Sequence, residues 1–127
     1  MPNRRYFKLT TGIHDFQMAK PLHGCTKFRI SQLNYIHSGI TSSSEIVHIK
    51  IGDYVSCYDE TNSLYYTIAF VCDASASVSY TPVHILEDLW YDLGQTGVSE
   101  INFETRIDGN VVSNISGQNI YIELEFR

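Results

Sequence analysis

Apolar and polar residues alternate along most of this chain, and this alternation constrains the fold more than any other feature. The last segment is the cleanest case, with Ile120, Ile122, Leu124 and Phe126 on one side and Tyr121, Glu123 and Glu125 on the other. A period of two belongs to a strand with one buried face; a helix repeats its face every three to four residues. The same alternation runs through Lys27–Ile36, Ile46–Ile51 and Ile101–Ile107, and through shorter stretches at Tyr6–Thr10, Tyr54–Tyr58 and Val111–Ser113. Turn residues punctuate these stretches at Gly52-Asp53, Asp59-Glu60-Thr61-Asn62 and Ser116–Asn119. Asp108-Gly109 is the strongest hairpin signal, since both residues tolerate positive φ. Ser63–Cys72 is nearly all apolar or β-branched and reads as a central strand buried on both faces. Gly12–Gly24 contains Pro21 and mixed polarity, so it reads as irregular, with an edge strand at Phe16–Met18.

The period changes once. Thr81-Pro82 supplies a cap and a first-turn proline, and Ile85, Leu86, Leu89, Trp90 and Leu93 share one helical face before Gly94. A short helix near residues 82–93 is therefore expected. Many short strands with regular turns predict an antiparallel sandwich or barrel of about eight strands. The 127 residues suit one domain, 1–127, able to build its own core. The last strand carries core residues and should be paired inside a sheet.

Composition narrows the class further. Apolar residues make up 43%, too many for a disordered chain, and Ser, Thr and Asn together number 29. No apolar run approaches the roughly 20 residues of a membrane helix. The first residues carry charge with no apolar stretch after them, so no secretory leader is expected, and the sequon Asn114-Ile115-Ser116 is expected to go unused. Cys25, Cys57 and Cys72 are odd in number and irregularly spaced, and read as reduced, mostly buried thiols.

The charge is unevenly placed. Arg4, Arg5, Lys8, Lys20, Lys27 and Arg29 oppose Asp15 alone, a net of +5 over residues 1–29. Residues 30–127 hold Lys50, Arg106 and Arg127 against 13 acids, a net of −10. Either the start is a basic arm at about 1–10 that reaches an acidic partner, or it is a first strand whose charges pair with the acidic body. Deleting residues 1–5 separates the two: an arm is dispensable for folding, a core strand is not. Without interleaved aromatics, the basic residues do not predict specific nucleic-acid binding.

No nucleophile elbow, zinc-protease helix, phosphate loop or dinucleotide fingerprint is present, and no enzyme activity, cofactor or metal is expected. His14, His23 and Cys25 come nearest to a metal set, but no second ligand pair follows. His48, on the polar side of its strand, and His84 read as solvated or locally hydrogen-bonded. Glu87-Asp88 and the outward Glu123 and Glu125 read as solvated faces, and not as paired carboxylates for glycoside chemistry. Tyrosines crowd the middle third, where they can fill a core, form an interface or stack on sugars.

A basic first strand is followed by the long strand Cys25–Ile36, and a polar meander leads to Tyr80-Thr81-Pro82-Val83-His84-Ile85-Leu86-Glu87-Asp88-Leu89. The Asp108-Gly109 hairpin and a last strand ending Leu124-Glu125-Phe126-Arg127 complete the order. This order resembles single jelly-roll capsid proteins of icosahedral double-stranded DNA viruses, the penton and minor capsid proteins of large eukaryotic viruses and their virophage or transposon-like relatives. The resemblance implies a single jelly-roll β-sandwich and a non-enzymatic structural role in the virion, reached by assembly inside the host cell. It implies other capsid proteins as partners, through a homo-oligomer such as a penton's pentamer or contacts with a major capsid protein. A double-jelly-roll major capsid protein would need a longer chain. Arg4, Arg5, Lys8, Tyr65 and Tyr91 are the candidate assembly contacts. The competing expectations are a carbohydrate-binding β-sandwich and a virion fibre or tail attachment piece.

Overall fold

A computed structural model describes residues 3–10, 12–37, 45–72, 79–80, 89–111 and 118–127. In chain order the strands are β1 (Arg4–Leu9), β2 (Ile13–His23), β3 (Lys27–His37), β4 (Glu45–Ile51), β5 (Cys57–Asp59) and β6 (Leu64–Tyr66). They continue as β7 (Ile68–Cys72), β8 (Ser79–Tyr80), β9 (Tyr91–Asp92), β10 (Gly97–Ile107), β11 (Asn110–Val111) and β12 (Gln118–Phe126).

Among the described residues all pairings are antiparallel, and they make two sheets and one separate hairpin. The first sheet runs β1-β12-β3, with β8 and β9 both on the far side of β3. In the second sheet β10 is central; β4 and then β7 lie to one side, β2 and β11 to the other. The chain crosses between sheets from β1 to β2, β2 to β3 and β3 to β4, and again around β8, β10 and β12. First strand against last, with this alternation between sheets, is the wiring of a jelly roll. The expected all-β sandwich is thus the observed fold, and the last strand does lie inside a sheet, between β1 and β3.

The pleat explains the core. Phe28, Ile30, Leu33 and Tyr35 from β3 meet Ile120, Ile122, Leu124 and Phe126 from β12 on the inner side of the first sheet. Val47, Ile49 and Ile51 of β4 and Ile101 and Phe103 of β10 cover them from the second sheet. Each such side chain contributes about 1.5–3 kcal/mol when fully buried.

The sequence reading departs from this structure in three elements. Residues 82–88 of the expected helix lie outside the described residues, as do most of the Ser38–Ser44 and Asp73–Ser79 loops and the sequon. At the helix's expected end the chain is strand β9: Tyr91 pairs with Phe28, Asp92 with Lys27, and the Leu93 N–H donates to the Thr26 carbonyl at 2.8 Å. Tyr91 and Leu93 are buried and Asp92 exposed, a period of two that tertiary packing selects over the helical one.

Ser63–Cys72 is not one central strand. Thr67 divides it: its hydroxyl accepts from the Ile51 N–H at 2.8 Å and donates to the Tyr54 carbonyl, so the backbone leaves β5 and joins β4. Among the described residues β7 pairs with β4 alone, and Val71 is exposed.

Gly12–Gly24 is more regular than expected, because nearly all of it is β2. Pro21 has no N–H to give, and the register jumps from Leu22 opposite Val98 to Gln17 opposite Glu100. Met18–Pro21 therefore stand outside the ladder, as a proline on an edge strand allows.

Candidate functional site

Three surface features surround this sandwich, and each follows from local sequence. The first is the flank where β1 and β2 end the two sheets. Among the described residues β1 pairs with β12 alone, and its other edge joins no strand there. The Phe126 N–H donates to the Asn3 carbonyl at 2.8 Å. Antiparallel alternation then turns the backbone groups of Arg4, Tyr6 and Lys8 away from β12. Across the flank, the excursion of β2 at Met18–Pro21 opens an apolar groove of about 400 Å³. Phe7, Phe16, Met18 and Ala19 line it, with Arg5 and Lys20 at its rim. Phe7 lies with its ring centroid 5.0 Å from that of Phe16 and 5.1 Å from that of Phe103, so the groove floor is continuous with the core.

The second feature is the outer face of the first sheet. Arg4 and Arg29 approach Glu125 at 3.3 and 3.0 Å, and Arg4 lies 3.8 Å from Glu123. The Arg29 hydrogen bond leads the influences that hold the Glu125 carboxyl below its usual range, with Arg4 adding to it. Glu123 is not the solvated carboxylate its alternation suggested: it is 2% exposed. Ser31 donates to its Oε1 at 2.6 Å, where a register shift in the β3–β12 ladder brings the hydroxyl close. Tyr6 sits beside it and donates to Gln32 Oε1 at 3.4 Å, and the Glu123 carboxylate pushes its phenol pKa up. The Lys8 ammonium lies 5.7 Å from the Tyr121 ring centre. Arg4 and Lys8 of β1 therefore engage the chain's own outer face, while Arg5 lies at the groove.

The third feature is the β5–β6 hairpin, which stands apart from both sheets and lies against the outer side of β4. Asp59 fastens it. Asp59 Oδ2 lies 2.8 Å from His48 Nε2 and accepts from Asn62 Nδ2 at 2.8 Å. Its Oδ1 accepts the Thr61 and Asn62 N–H groups at 2.8 and 3.2 Å. These bonds, the Asn62 side chain foremost, lower the Asp59 pKa to about 2. His48 is 1% exposed, so it is hydrogen-bonded but not solvated, and the Tyr66 ring meets it edge-on at 5.1 Å. Its Nδ1 has no partner among the described residues. The hairpin's other side carries Tyr58 and Tyr65, opposite each other with ring centroids 4.7 Å apart and planes 53° apart. They are 42% and 64% exposed.

The structure thus separates the candidate contacts. Arg4, Arg5 and Lys8 lie on β1, and Tyr65 stands exposed on the hairpin. Tyr91 belongs to the core: its ring stacks on Phe28 at 5.0 Å, and its hydroxyl donates to the Thr67 carbonyl at 3.1 Å. A buried ring offers no surface to a partner, so Tyr91 is removed from the contact set. His14 stacks on Phe16 at 3.9 Å, while Cys25 is buried and its thiol points to the His23 carbonyl. Among the described residues no group of three or more His, Cys, Asp or Glu side chains could hold a metal ion.

Sequence reasoning missed the groove and the His48–Asp59 clamp. The clamp had a signal: Asp59 opens Asp-Glu-Thr-Asn, a turn in which an aspartate caps its own backbone. Its reach to His48, 11 residues away, had none.

No family model matches this chain, and no curated protein sequence does. Among solved structures, the NLP core of Drosophila, described with its pentamer formation and histone binding, is 11% identical with a TM-score of 0.43, covering 98% of this chain and 97% of that one. A carbohydrate-binding module, CBM28, specific for non-crystalline cellulose, is 6% identical with a TM-score of 0.37, covering 96% and 73%. A chain of the capsid of the Helicobacter pylori bacteriophage KHP30 is 14% identical with a TM-score of 0.35, covering 97% and 94%. With TM-scores below 0.5 these are likenesses of outline, and the functional reading is built on this chain's own residues.

Proposed function

We propose that this chain is a structural component of an icosahedral virion, a penton or minor capsid protein that works through protein–protein contacts and not through catalysis. The observation that carries this reading is the wiring of the sandwich, with β1 against β12 and strands alternating between two sheets. That wiring leaves the β1/β2 flank with a sheet edge and an apolar groove. Edges and exposed apolar surfaces are what a subunit offers its neighbours. Arg4, Arg5, Lys8 and Tyr65 are the residues assigned to such contacts. Other capsid proteins are the partners, and the virion is the location. No helix of the described residues is long and apolar enough to cross a membrane.

The test is sedimentation of the native chain through a density gradient after nuclease treatment of its source lysate. Migration with large nuclease-resistant particles is the expected result. A chain that stays at the top of the gradient, near its monomer mass of 14.5 kDa, overturns the virion reading.

A sugar-binding module is the second reading, and it rests on the exposed Tyr58 and Tyr65 rings. Their 53° tilt makes a ridge rather than a flat platform for a pyranose ring. A glycan array on the isolated chain decides it. Binding lost in Tyr65→Ala favours the sugar module; no binding removes it.

A further inference from the structure

We propose that the β5–β6 hairpin of one copy docks into the β1/β2 groove of a second copy, making a head-to-tail contact between identical chains. The inference rests on the assembly reading above and names the partner and the two surfaces.

Three observations converge on it. The groove is apolar inside and cationic at the rim: Phe7, Phe16 and Met18 within, Arg5 and Lys20 at the edge. The hairpin is its complement, with Tyr58 and Tyr65 projecting beside an exposed Glu60 at the turn. Rim charges of opposite sign steer and orient such contacts, while buried aromatics supply most of the affinity.

The hairpin is also held ready. Asp59 ties its turn to β4 through His48, and Asn62 locks the same carboxylate. An element fixed before binding loses little conformational entropy on docking.

Finally, the two surfaces lie on different parts of the molecule. β2 lies on one side of β10 in the second sheet, whereas the hairpin leans on β4, on the other side. A contact between unlike patches is heterologous; repeated, it closes a ring if the rotation permits and otherwise grows open-ended.

The experiment mixes two disabled chains. Met18→Glu spoils the groove, with Lys20→Glu as a milder second variant should the first fail to fold; Tyr65→Ala spoils the hairpin. Mass is read by sedimentation velocity across about 1–100 µM, bracketing the micromolar range of modest interfaces, with far-UV circular dichroism as the check on folding. Wild type is expected to self-associate with concentration. Tyr65→Ala should weaken association about thirtyfold, as loss of a buried tyrosine anchor does. Each disabled chain alone should stay monomeric to concentrations about thirtyfold above those at which wild type associates. Their equimolar mixture should form a dimer and nothing larger, because one intact groove then meets one intact hairpin.

A wild-type oligomer indifferent to all three substitutions overturns the docking while the virion reading stands. A mixture that stays monomeric, or one that grows beyond a dimer, also overturns it. A wild-type chain monomeric throughout overturns self-docking, and the gradient experiment then decides the virion reading separately.

Discussion

His48 and Asp59 show how much one pair can decide at the scale of a residue. A buried imidazole with one nitrogen on a carboxylate keeps the hairpin against β4. His48→Ala removes that tie and leaves a cavity, and should lower the unfolding free energy by about 2–4 kcal/mol in urea titration. Acid should act on the same spot. The Asp59 pKa is about 2 in the folded chain against an ordinary 3.8. A carboxyl depressed on folding stabilises above its ordinary value, and that contribution disappears as pH falls through the folded one. Stability should therefore drop as pH is lowered between about 4 and 2, more steeply in wild type than in Asp59→Asn; equal slopes would remove Asp59 as the cause. Little of this was legible beforehand. Alternation placed His48 on the outward face of its strand, as found, but a period of two is silent about what covers that face. Glu123 failed for the same reason: its outward position was read correctly, while Ser31 and Arg4 above it come from other strands.

Elements obey local chemistry where turns are involved and tertiary packing where they are not. The Asp108-Gly109 hairpin formed as its sequence demands, with both residues at positive φ, 49° and 87°. Gly109→Ala would strain that backbone and set a methyl 2.5 Å from the Asn62 amide oxygen. It should cost about 1–3 kcal/mol and loosen the β5–β6 turn, seen as faster amide exchange at Thr61 and Asn62. The end of the expected helix failed because Phe28 and Lys27 provide a strand edge for Tyr91 and Asp92, and the helical spacing of Leu89, Trp90 and Leu93 cannot report that edge. β1 answers the question its charges raised. Phe7 and Leu9 are buried and the strand bonds to β12 along its length. Removing residues 1–9 should therefore unfold the domain or cost it about 3–6 kcal/mol from those two side chains alone. A truncated chain with unchanged thermal stability would show that the segment is a detachable arm.

The whole molecule was the most readable level, since alternation and turn spacing sufficed for an antiparallel all-β sandwich or barrel, and the resemblance to jelly-roll proteins pointed to the sandwich. Which strand pairs with which was not readable, because pairing depends on partners far apart in sequence: Arg4 opposite Glu125, and Glu45 opposite Cys72. Those long loops must close before their contacts stabilise anything. Refolding should accordingly take milliseconds to seconds, in the range of all-β sandwiches rather than helical bundles. Stopped-flow tyrosine fluorescence measures it, and a microsecond phase carrying the full amplitude would contradict the topology.

The pairing of β1 with β12 also sets a timetable for biosynthesis. Phe7 and Leu9 leave the ribosome more than a hundred residues ahead of their neighbours Ile122 and Ile120. Throughout that interval the opening strand has an apolar face with no native place to go. Its cations, Arg4, Arg5 and Lys8, are the residue type that discourages an unpaired strand from joining edge to edge with another copy of itself.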